Sequence, residues 1–272
     1  MPCFLNPTAR ISVAEMNNRV VVFADEIGIP LILESLPKSY EARVVYDPKR
    51  NSMADYLSGL DAQICRMAHP EKEDRRDFLE RLCNWGPALG IMASYSRILW
   101  PELMDIFPLG VVNLHAGKLP EYRGANVLQW VLIQGERETA VTLHYVDRKI
   151  DAGPVIHIRK VAIDDDDTAK TLRAKMMEVC RHLLKQWVPR LLIKRCPAAE
   201  QDESRAKMWR RRLPEDGLID WSWADEKIRN LTRALVKPWP GVFYMDRSGK
   251  KFAIDRALST GEIQRLRREA LS

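Results

Sequence analysis

The sequence predicts an α/β fold, a Rossmann-like and mostly parallel sheet followed by a small C-terminal extension. Short apolar runs alternate with helix-compatible segments, which is typical of successive βαβ units. A long amphipathic segment follows the last of these runs, and after about residue 197 the chain becomes polar and charged. With 272 residues, 46% of them hydrophobic, the chain is long enough for one large domain and an appendage.

The apolar runs are the predicted strands. Five of them occupy residues 19–24, 41–47, 88–94, 108–114 and 142–147, and helix-compatible segments include 51–61 and 72–84. A sixth run, VIHIRKVAI, covers residues 155–163. Parallel sheets bind ligands beyond the carboxyl ends of their strands. We therefore expect functional residues in the loops that follow these runs.

A long helix is predicted after the sixth run, because apolar residues recur there every three to four positions. They are Leu172, Met176, Val179, Leu183, Trp187 and Leu191. Four aspartates, residues 164–167, precede the helix and have two interpretations. Either they bind a metal, or Asp167 or Thr168 caps the helix while the remaining charge favours its positive end. We favour the cap and predict no metal site.

The C-terminal extension is predicted to comprise a linker, a helix over residues 219–235 capped by Ser222 or Asp225, a hairpin and a short charged helix. The turn KPWPG at 237–241 precedes the hairpin, which closes around Ser248 and Gly249. The predicted domains are thus a disordered segment (1–15), a catalytic domain (16–196) and the extension (197–272). Met16 is an alternative start.

Charge and cysteine usage limit the class of protein. The net charge of +6 and the pI near 9.1 suit an anionic ligand or a nucleic acid. Five scattered cysteines without a CxxC spacing favour reduced thiols in a cytoplasmic protein over a disulfide framework. No stretch approaches the roughly 18 to 20 apolar residues of a membrane span. The first fifteen residues lack the pattern of a secretory signal.

The candidate catalytic residues are Asn113, His115 and Asp151. Asn113 and His115 stand where the run 108–114 enters a loop, and alternation along a strand puts them on one side. Asp151 follows the run 142–147 and would reach the imidazole if the two strands are neighbours.

This residue set suits transfer of an acyl group to an amine. The amide of Asn113 can donate to an oxyanion, which contributes about 10²- to 10³-fold in rate. His115 can accept the proton of the attacking amine or assist at the oxyanion, for roughly 10²- to 10⁴-fold. Asp151 would orient the imidazole and stabilise its cationic form. The residues alone leave the alternative open that Asn-x-His is a structural pair and Asp-x-Gly a turn.

Residues 113–156 resemble the core of the folate-dependent formyltransferases. They read NLHAGKLPEYRGANVLQWVLIQGERETAVTLHYVDRKIDAGPVI and share Asn-x-His, a Leu-Pro-x-Tyr-Arg-Gly loop, a Gln-Trp helix, Gly-Glu-x-x-Thr, a Val-Thr-Leu-His strand and Asp-x-Gly. PEDGLIDW at 214–221 and the KPWPG turn extend the resemblance, which covers about residues 88–245. Two departures are the loop 115–120, where the family often has His-x-Ser-Leu-Leu-Pro, and Ala140, where many members have Gly.

The resemblance implies roles for individual residues. The family's catalytic trio falls on Asn113, His115 and Asp151, and no metal is implied. Its N10-formyltetrahydrofolate slot falls on two loops that would mainly offer backbone groups to the pterin: Arg97, Ile98 and Leu99, and Asp147, Arg148, Lys149, Ile150 and Asp151. For an anionic acceptor the candidate contacts are Lys118, Tyr122, Arg123, Arg210, Arg211 and Arg212. The triple arginine also has a plainer interpretation as a solvated run.

The family branch is inferred from the C-terminal elements. Methionyl-tRNA formyltransferases carry a β-barrel after the catalytic domain that the 31 residues following Gly241 cannot form, and glycinamide ribonucleotide formyltransferases lack PEDGLIDW and PWPG. The ending resembles N-formyltransferases of nucleotide-linked amino sugars, which implies a homodimer without nucleic acid or membrane partners. GDP-perosamine and O-antigen (lipopolysaccharide) synthesis are favoured over dTDP-linked sugars. A tRNA formyltransferase with a shortened tail, a formyltetrahydrofolate hydrolase and a non-catalytic binding module are the alternatives.

Overall fold

A computed structural model of the protein describes residues 18–271. The described chain divides into two compact units, each built from three segments. The first unit comprises the described residues up to His115 together with Thr142–His157 and Cys180–Gln201, and the second comprises Ala116–Val141, Ile158–Val179 and the described residues from Asp202 onward. The expectations for residues 1–15 and for Met16 fall outside the described residues.

Strands and helices alternate through the first half of the chain. The strands are β1 (Arg19–Ala24), β2 (Glu41–Tyr46), β3 (Cys65–Ala68), β4 (Leu89–Ala93), β5 (Val111–His115), β6 (Arg123–Gly124), β7 (Glu138–Tyr145), β8 (Val155–Ala162), β9 (Met208–Trp209), β10 (Val242–Met245) and β11 (Lys251–Ile254). The helices are α1 (Gly28–Leu33), α2 (Ser52–Ser58), α3 (Arg75–Trp85), α4 (Pro101–Met104), α5 (Val127–Ile133), α6 (Ala169–Leu191), α7 (Asp225–Ala234) and α8 (Thr260–Leu271).

The seven-stranded main sheet has the order β3-β2-β1-β4-β5-β7-β8. The five strands from β3 to β5 pair in parallel, whereas β7 runs antiparallel to β5. This confirms the predicted mostly parallel α/β fold. The run 142–147 was predicted only as a strand, and its direction could not be predicted because the hydrophobic pattern of a strand is the same in both directions. The antiparallel pairing sets Tyr145 opposite Val112, so the chain must fold back after β7 to bring later residues towards His115.

The core of the first unit is built around β1. In β1, residues 20–24 are completely buried, as expected for a parallel strand with both faces covered. The cluster around it consists of Val21, Phe23, Val45, Met67, Phe78, Leu82, Leu99, Trp100, Leu103, Phe107 and Val111. It supports the strands that carry the candidate site.

The elements β3 and α1 of the first unit, and the four-residue helix α4, were not predicted. β3 has only Met67 buried, and α1 is six residues long with a proline inside it, so neither has a strong periodic pattern. The start of α1 is closed by Asp25, whose Oδ1 accepts hydrogen bonds from the N–H groups of Ile27 (3.0 Å) and Gly28 (3.1 Å).

The aspartate run before α6 makes the contacts of a helix cap. Oγ1 of Thr168 accepts from the backbone N–H of Thr171 at 3.3 Å, and Oδ1 of Asp167 accepts from the Thr171 hydroxyl at 2.7 Å. Lys175 lies 2.6 Å from carboxylate oxygens of both Asp164 and Asp167. Two of the four aspartates, Asp164 and Asp167, therefore form ion pairs within the second unit.

The C-terminal elements follow the predicted order. β10 and β11 form the predicted antiparallel hairpin, with Gly249 in its turn at a φ of +81°. α7 starts at residue 225 instead of 219, because Ile219 donates its N–H to the carbonyl of Phe243 in the hairpin. Over residues 18–271, no helix is both long and apolar enough to cross a membrane.

Candidate active site

Asn113 and His115 lie at the end of β5 with side chains that are 7% exposed. In the antiparallel pairing of β5 with β7, Asn113 stands directly opposite His144, and His115 opposite Thr142. The amide nitrogen of Asn113 lies 3.2 Å from Nε2 of His144. Strand register therefore sets a second imidazole against the Asn113 amide.

The hydrogen bonds of His144 define which way the Asn113 amide points. Nδ1 of His144 lies 2.8 Å from the carbonyl oxygen of Tyr145, which can only accept, so Nδ1 carries the proton. In the neutral ring Nε2 is then an acceptor and receives one N–H of Asn113. The second N–H of that amide remains for a ligand. His144 itself is 1% exposed, so a substrate does not reach it directly.

Asp151 lies between the two imidazoles. Its carboxylate oxygens are 3.5 Å from Nδ1 of His115 and 3.7 Å from Nε2 of His144. The 3.5 Å separation is at the long end of the hydrogen-bond range, and such contacts commonly tighten when substrate binds. With Nδ1 of His115 turned to Asp151, Nε2 is the ring nitrogen that is not directed at this carboxylate.

The backbone around Asp151 explains the Asp-x-Gly motif. Asp151 has a φ of +51°, a left-handed conformation that Asp tolerates better than most residues. At Gly153 an added Cβ would stand 2.0 Å from the carbonyl oxygen of Tyr145, so no side chain fits. The amide nitrogen of Gln201 donates to the carbonyls of both Asp151 and Gly153 at 2.8 Å.

The structure thus brings Asn113, His115 and Asp151 together and adds two residues that the sequence analysis missed. His144 lies within a predicted strand, and its contacts depend on the register of that strand. Gln201 stands in the polar stretch that is predicted as a linker. Nothing in the letters of either segment distinguishes these side chains from ordinary strand and linker residues.

The three side chains of the predicted folate loop after β4 lie in different environments. Arg97 donates to Glu71 at 3.1 Å and lies 3.8 Å from Asp47, and Leu99 is part of the core cluster. Ile98 is 70% exposed. Side chains on both sides of Ile98 therefore anchor the loop while Ile98 faces solvent.

The second predicted folate loop is more open. Asp147, Arg148 and Lys149 are exposed, and Ile150 is 48% exposed. Oδ1 of Asp147 accepts from the N–H of Arg148 at 2.6 Å. Both predicted folate loops belong to the first unit, and each presents an exposed isoleucine.

Comparison with known families decides the class. The formyl transferase family model matches residues 34–188, more than half of the 272 residues, and the model of the formyl transferase C-terminal domain matches residues 213–264. The chain belongs to the formyl transferase family. It is therefore a transferase, and the site at β5 is interpreted as that of a formyl transferase.

Solved structures share the fold of this formyl transferase over most of its length. A 4-N formyltransferase from Francisella tularensis is 17% identical, with 89% of this chain and 98% of that chain covered and a TM-score of 0.73. The Helicobacter canadensis N-formyltransferase, in complex with folinic acid and dTDP-3-aminofucose, is 19% identical, with 81% of each chain covered and a TM-score of 0.64. Phosphoribosylglycinamide formyltransferase from Streptococcus pneumoniae TIGR4 is 25% identical, with 65% and 99% covered and a TM-score of 0.56.

The acceptor contacts predicted for the loop after His115 are engaged within the second unit of the formyl transferase. The Tyr122 ring stacks on Trp209 at 5.2 Å, and its hydroxyl donates to Glu136 at 2.7 Å. Arg123 is 5% exposed and donates to both carboxylate oxygens of Glu203, at 2.7 and 3.1 Å. Tyr122 and Arg123 thus hold the loop in place.

The remaining candidates, Lys118 and the three consecutive arginines, differ in exposure and in partners. The Lys118 side chain is 35% exposed, and its ammonium group lies 4.0 Å from Glu121. Arg210 forms a two-pronged ion pair with Asp216, and Arg211 is exposed. Arg212 is half-buried.

We expect His144 to act as a positioning residue in the formyl transferase. His144→Phe removes the acceptor that aligns the Asn113 amide, and misplacement of such a donor lowers kcat by about 10²-fold. The KM values should stay unchanged, because His144 does not reach substrate. Steady-state kinetics of the purified variant test this. His144→Gln, which offers a new acceptor oxygen, should recover part of kcat, and equal losses in both variants would contradict the positioning role.

The buried His69, which contacts the loop after β4, predicts that the stability of the fold decreases in acid. His69 is 4% exposed and contacts the Tyr95 hydroxyl through Nδ1 at 2.7 Å, and burial lowers its pKa from 6.5 to about 4. The unfolded chain therefore binds a proton at higher pH than the folded chain. The free energy of unfolding should fall by up to about 3 kcal/mol as the pH drops from 6.5 to 4.

Chemical denaturation of His69→Asn across this pH range tests the assignment. The variant should lose less stability than the native chain between pH 6.5 and 4, because the shifted group is gone. The charged groups around His69, two that lower its pKa and two that raise it, stay in place in both proteins: Arg97, Arg75, Asp47 and Glu71. If the free energy of unfolding fell equally with pH in the two proteins, His69 would not be the source of the acid sensitivity.

Proposed function

We propose that this formyl transferase moves the formyl group of N10-formyltetrahydrofolate to the amino group of a nucleotide-linked amino sugar. The observation that carries the proposal is the array at β5, in which two imidazoles flank the Asp151 carboxylate and the buried amide of Asn113 contacts one of them. An array with an oxyanion donor and a general base suits acyl transfer to an amine and needs no acyl-enzyme intermediate.

The folate co-substrate is supported by the two predicted loops of the first unit. Exposed Ile98 and Ile150 offer apolar side chains to a flat ring, while the backbone of each loop offers hydrogen-bonding groups to its edge. Burying such isoleucines contributes about 25 cal/mol for each Å² of apolar surface removed from water. The Helicobacter canadensis N-formyltransferase, solved with folinic acid, gives independent support for a folate of this kind.

In the proposed reaction the neutral sugar amine attacks the formyl carbon and forms the new C–N bond. Negative charge develops on the formyl oxygen, where the second N–H of Asn113 and protonated His115 donate. As the intermediate collapses, the bond to N10 of the folate breaks and Nε2 of His115 gives its proton to the leaving nitrogen. The attacking nitrogen, which carries the extra proton of the amine, returns a proton to Nε2 and leaves as the neutral formamide. Asp151 stabilises the imidazolium throughout. The products are a formamide and tetrahydrofolate.

The nucleotide-linked acceptor is supported by the Francisella tularensis 4-N formyltransferase and by the Helicobacter canadensis enzyme bound to dTDP-3-aminofucose. The net charge of +6 also favours an anionic acceptor. Among such sugars we propose GDP-perosamine, and a role in O-antigen synthesis, on the family resemblance alone. The cytoplasmic location and the homodimer are proposed on the same resemblance, and sedimentation analysis tests the homodimer.

The decisive experiment incubates the enzyme with N10-formyltetrahydrofolate and a panel of GDP- and dTDP-linked 3-amino and 4-amino sugars. A sugar that gains the mass of one formyl group identifies the acceptor, and His115→Ala is the matched negative control. Formate released without any amine would instead identify a hydrolase. Formylation of charged initiator tRNA, with no sugar modified, would identify the tRNA branch of the family.

A further inference from the structure

The loop after β4, residues 94–99, begins with two side chains that contact loops following other strands of the first unit. The hydroxyl of Ser94 donates to Oδ2 of Asp25, after β1, at 2.8 Å. The hydroxyl of Tyr95 lies 2.7 Å from Nδ1 of His69, after β3. Ser94 has a φ of +52°, a left-handed conformation that persists in a residue other than glycine only where the surrounding contacts fix it. These two contacts therefore set the direction in which the chain leaves β4.

Asp47, which follows β2, holds the next two residues of this loop. Its Oδ2 accepts a hydrogen bond from the hydroxyl of Ser96 at 2.6 Å, and its Oδ1 lies 3.8 Å from Nε of Arg97. Asp47 is itself fixed by the backbone N–H of Lys49, which donates to Oδ1 at 3.1 Å. One carboxylate thus contacts both of the residues that precede the exposed Ile98.

The surroundings of Asp47 favour its charged form. The side chain is only 12% exposed, and this burial acts to raise the pKa of the carboxyl. The Ser96 hydroxyl, the Lys49 N–H and the charge of Arg97 outweigh burial, so the pKa lies below its ordinary value. Hydrogen bonds to a charged acceptor are stronger than those between neutral groups. Asp47 therefore restrains the loop more strongly than a neutral side chain in its place would.

We infer that Asp47 is a positioning residue for the folate co-substrate, because it holds Ser96 and Arg97 so that the loop 94–99 is preformed for its ligand. A loop that is already ordered loses less conformational entropy on binding, and affinity falls in proportion to the fraction of molecules in the binding-competent shape. Asp25 is a less selective anchor, since it also accepts hydrogen bonds from the backbone at the start of α1. The inference rests on the proposed function, which assigns folate to this loop, and deepens it.

Binding of folinic acid to the full chain, followed by calorimetry, tests the positioning role without an acceptor. Asp47→Ala should weaken this binding by about 10-fold, and Ser96→Ala should weaken it by a smaller factor. The double variant should lose less than the product of the two factors, because both changes release the same contact. Ser96→Thr keeps the hydroxyl and should bind folinic acid within about twofold of the native protein. Should Asp47→Ala fail to fold, the difference between Ser96→Ala and Ser96→Thr decides.

Asp61→Ala is the matched control for Asp47→Ala. Oδ1 of Asp61 accepts from the backbone N–H of Gln63, two residues ahead, at 2.9 Å, as Oδ1 of Asp47 accepts from Lys49. Among the described residues, the exposed Asp61 side chain forms no hydrogen bond or ion pair with the loop 94–99. Asp61→Ala should therefore bind folinic acid within about twofold of the native protein.

Steady-state kinetics separate positioning of the folate from general support of the fold. In Asp47→Ala, KM for N10-formyltetrahydrofolate should rise by the same factor as the dissociation constant of folinic acid, while kcat and KM for the amino sugar stay within about twofold. A lower melting temperature with native folate KM would make Asp47 a residue of the fold alone and would overturn the inference.

The binding series also distinguishes this inference from the proposed function. Weaker folinic acid binding in Asp47→Ala and Ser96→Ala, but not in Asp61→Ala, supports the inference even if no amino sugar is formylated. If the native protein binds folinic acid and these three variants bind it equally well, the inference is overturned and the proposed function stands. If the native protein binds no folinic acid, the proposed folate co-substrate fails and the inference fails with it.

Discussion

The substitution His115→Ala is expected to lower kcat by about 10³-fold, because in the proposed mechanism it removes the group that exchanges protons with the amine and the leaving nitrogen. The imidazole lies at the end of β5, 3.5 Å from the Asp151 carboxylate. Truncating a side chain at the end of a strand leaves the backbone pairing with β7 unchanged. Turnover of N10-formyltetrahydrofolate with the amino sugar that proves to be the acceptor is compared between the native protein and the variant. The variant must show the native circular dichroism spectrum.

A second histidine of the first unit provides the control for this experiment. His182 is exposed on α6, and His182→Ala should retain native turnover. Near-native turnover in a folded His115→Ala protein would overturn the acid-base role of His115. A loss shared equally by the two variants would point instead to damage outside the site.

Asp151→Asn is expected to reduce kcat by a factor on the order of 10³, because it removes charge while keeping the shape of the side chain. The backbone at residue 151 has a φ of +51°, which Asn adopts as readily as Asp. An amide gives the His115 imidazolium much less stabilisation than a carboxylate. Where its N–H group turns towards Nδ1 of His115, it also opposes a donor with a donor.

Pre-steady-state measurement of formyl transfer, with both substrates saturating, isolates the chemical step in Asp151→Asn. Asp105→Asn, at an exposed position after α4, makes the same chemical change away from the site and should react as the native protein does. A native rate in Asp151→Asn would show that the negative charge between the imidazoles does not contribute to catalysis.

The sequence predicted those parts of the fold that are encoded locally. The run 19–24 reads as a buried strand because all its residues are apolar, and the turn at Ser248 and Gly249 marks the hairpin by its residue types. The long helix α6 followed from its spacing. Its start was predicted because capping side chains act on backbone groups a few residues away.

The remaining parts depend on contacts between distant segments. His144 contacts Asn113 because its strand runs antiparallel to β5 and places the two residues opposite each other. Neither the direction nor the register can be predicted from the sequence of that strand alone. Gln201 reaches the loop of Asp151 from about fifty residues away along the chain. Arg210, Arg211 and Arg212 are identical residues in sequence, and only their surroundings distinguish the ion pair of Arg210 from the exposed side chain of Arg211 and the half-buried one of Arg212.

The cross-strand pairing of Asn113 with His144 has a consequence for engineering and for divergence of this chain. Because side chains alternate along a strand, inserting or deleting one residue within β7 upstream of position 144 would turn the imidazole to the opposite face of the sheet. Insertions and deletions should therefore be tolerated in the surface turns that precede β7. Inside the strand they should abolish enzymatic activity. An insertion scan across residues 134–144, scored for soluble yield and for product, would reveal that boundary as a sharp step in activity alone.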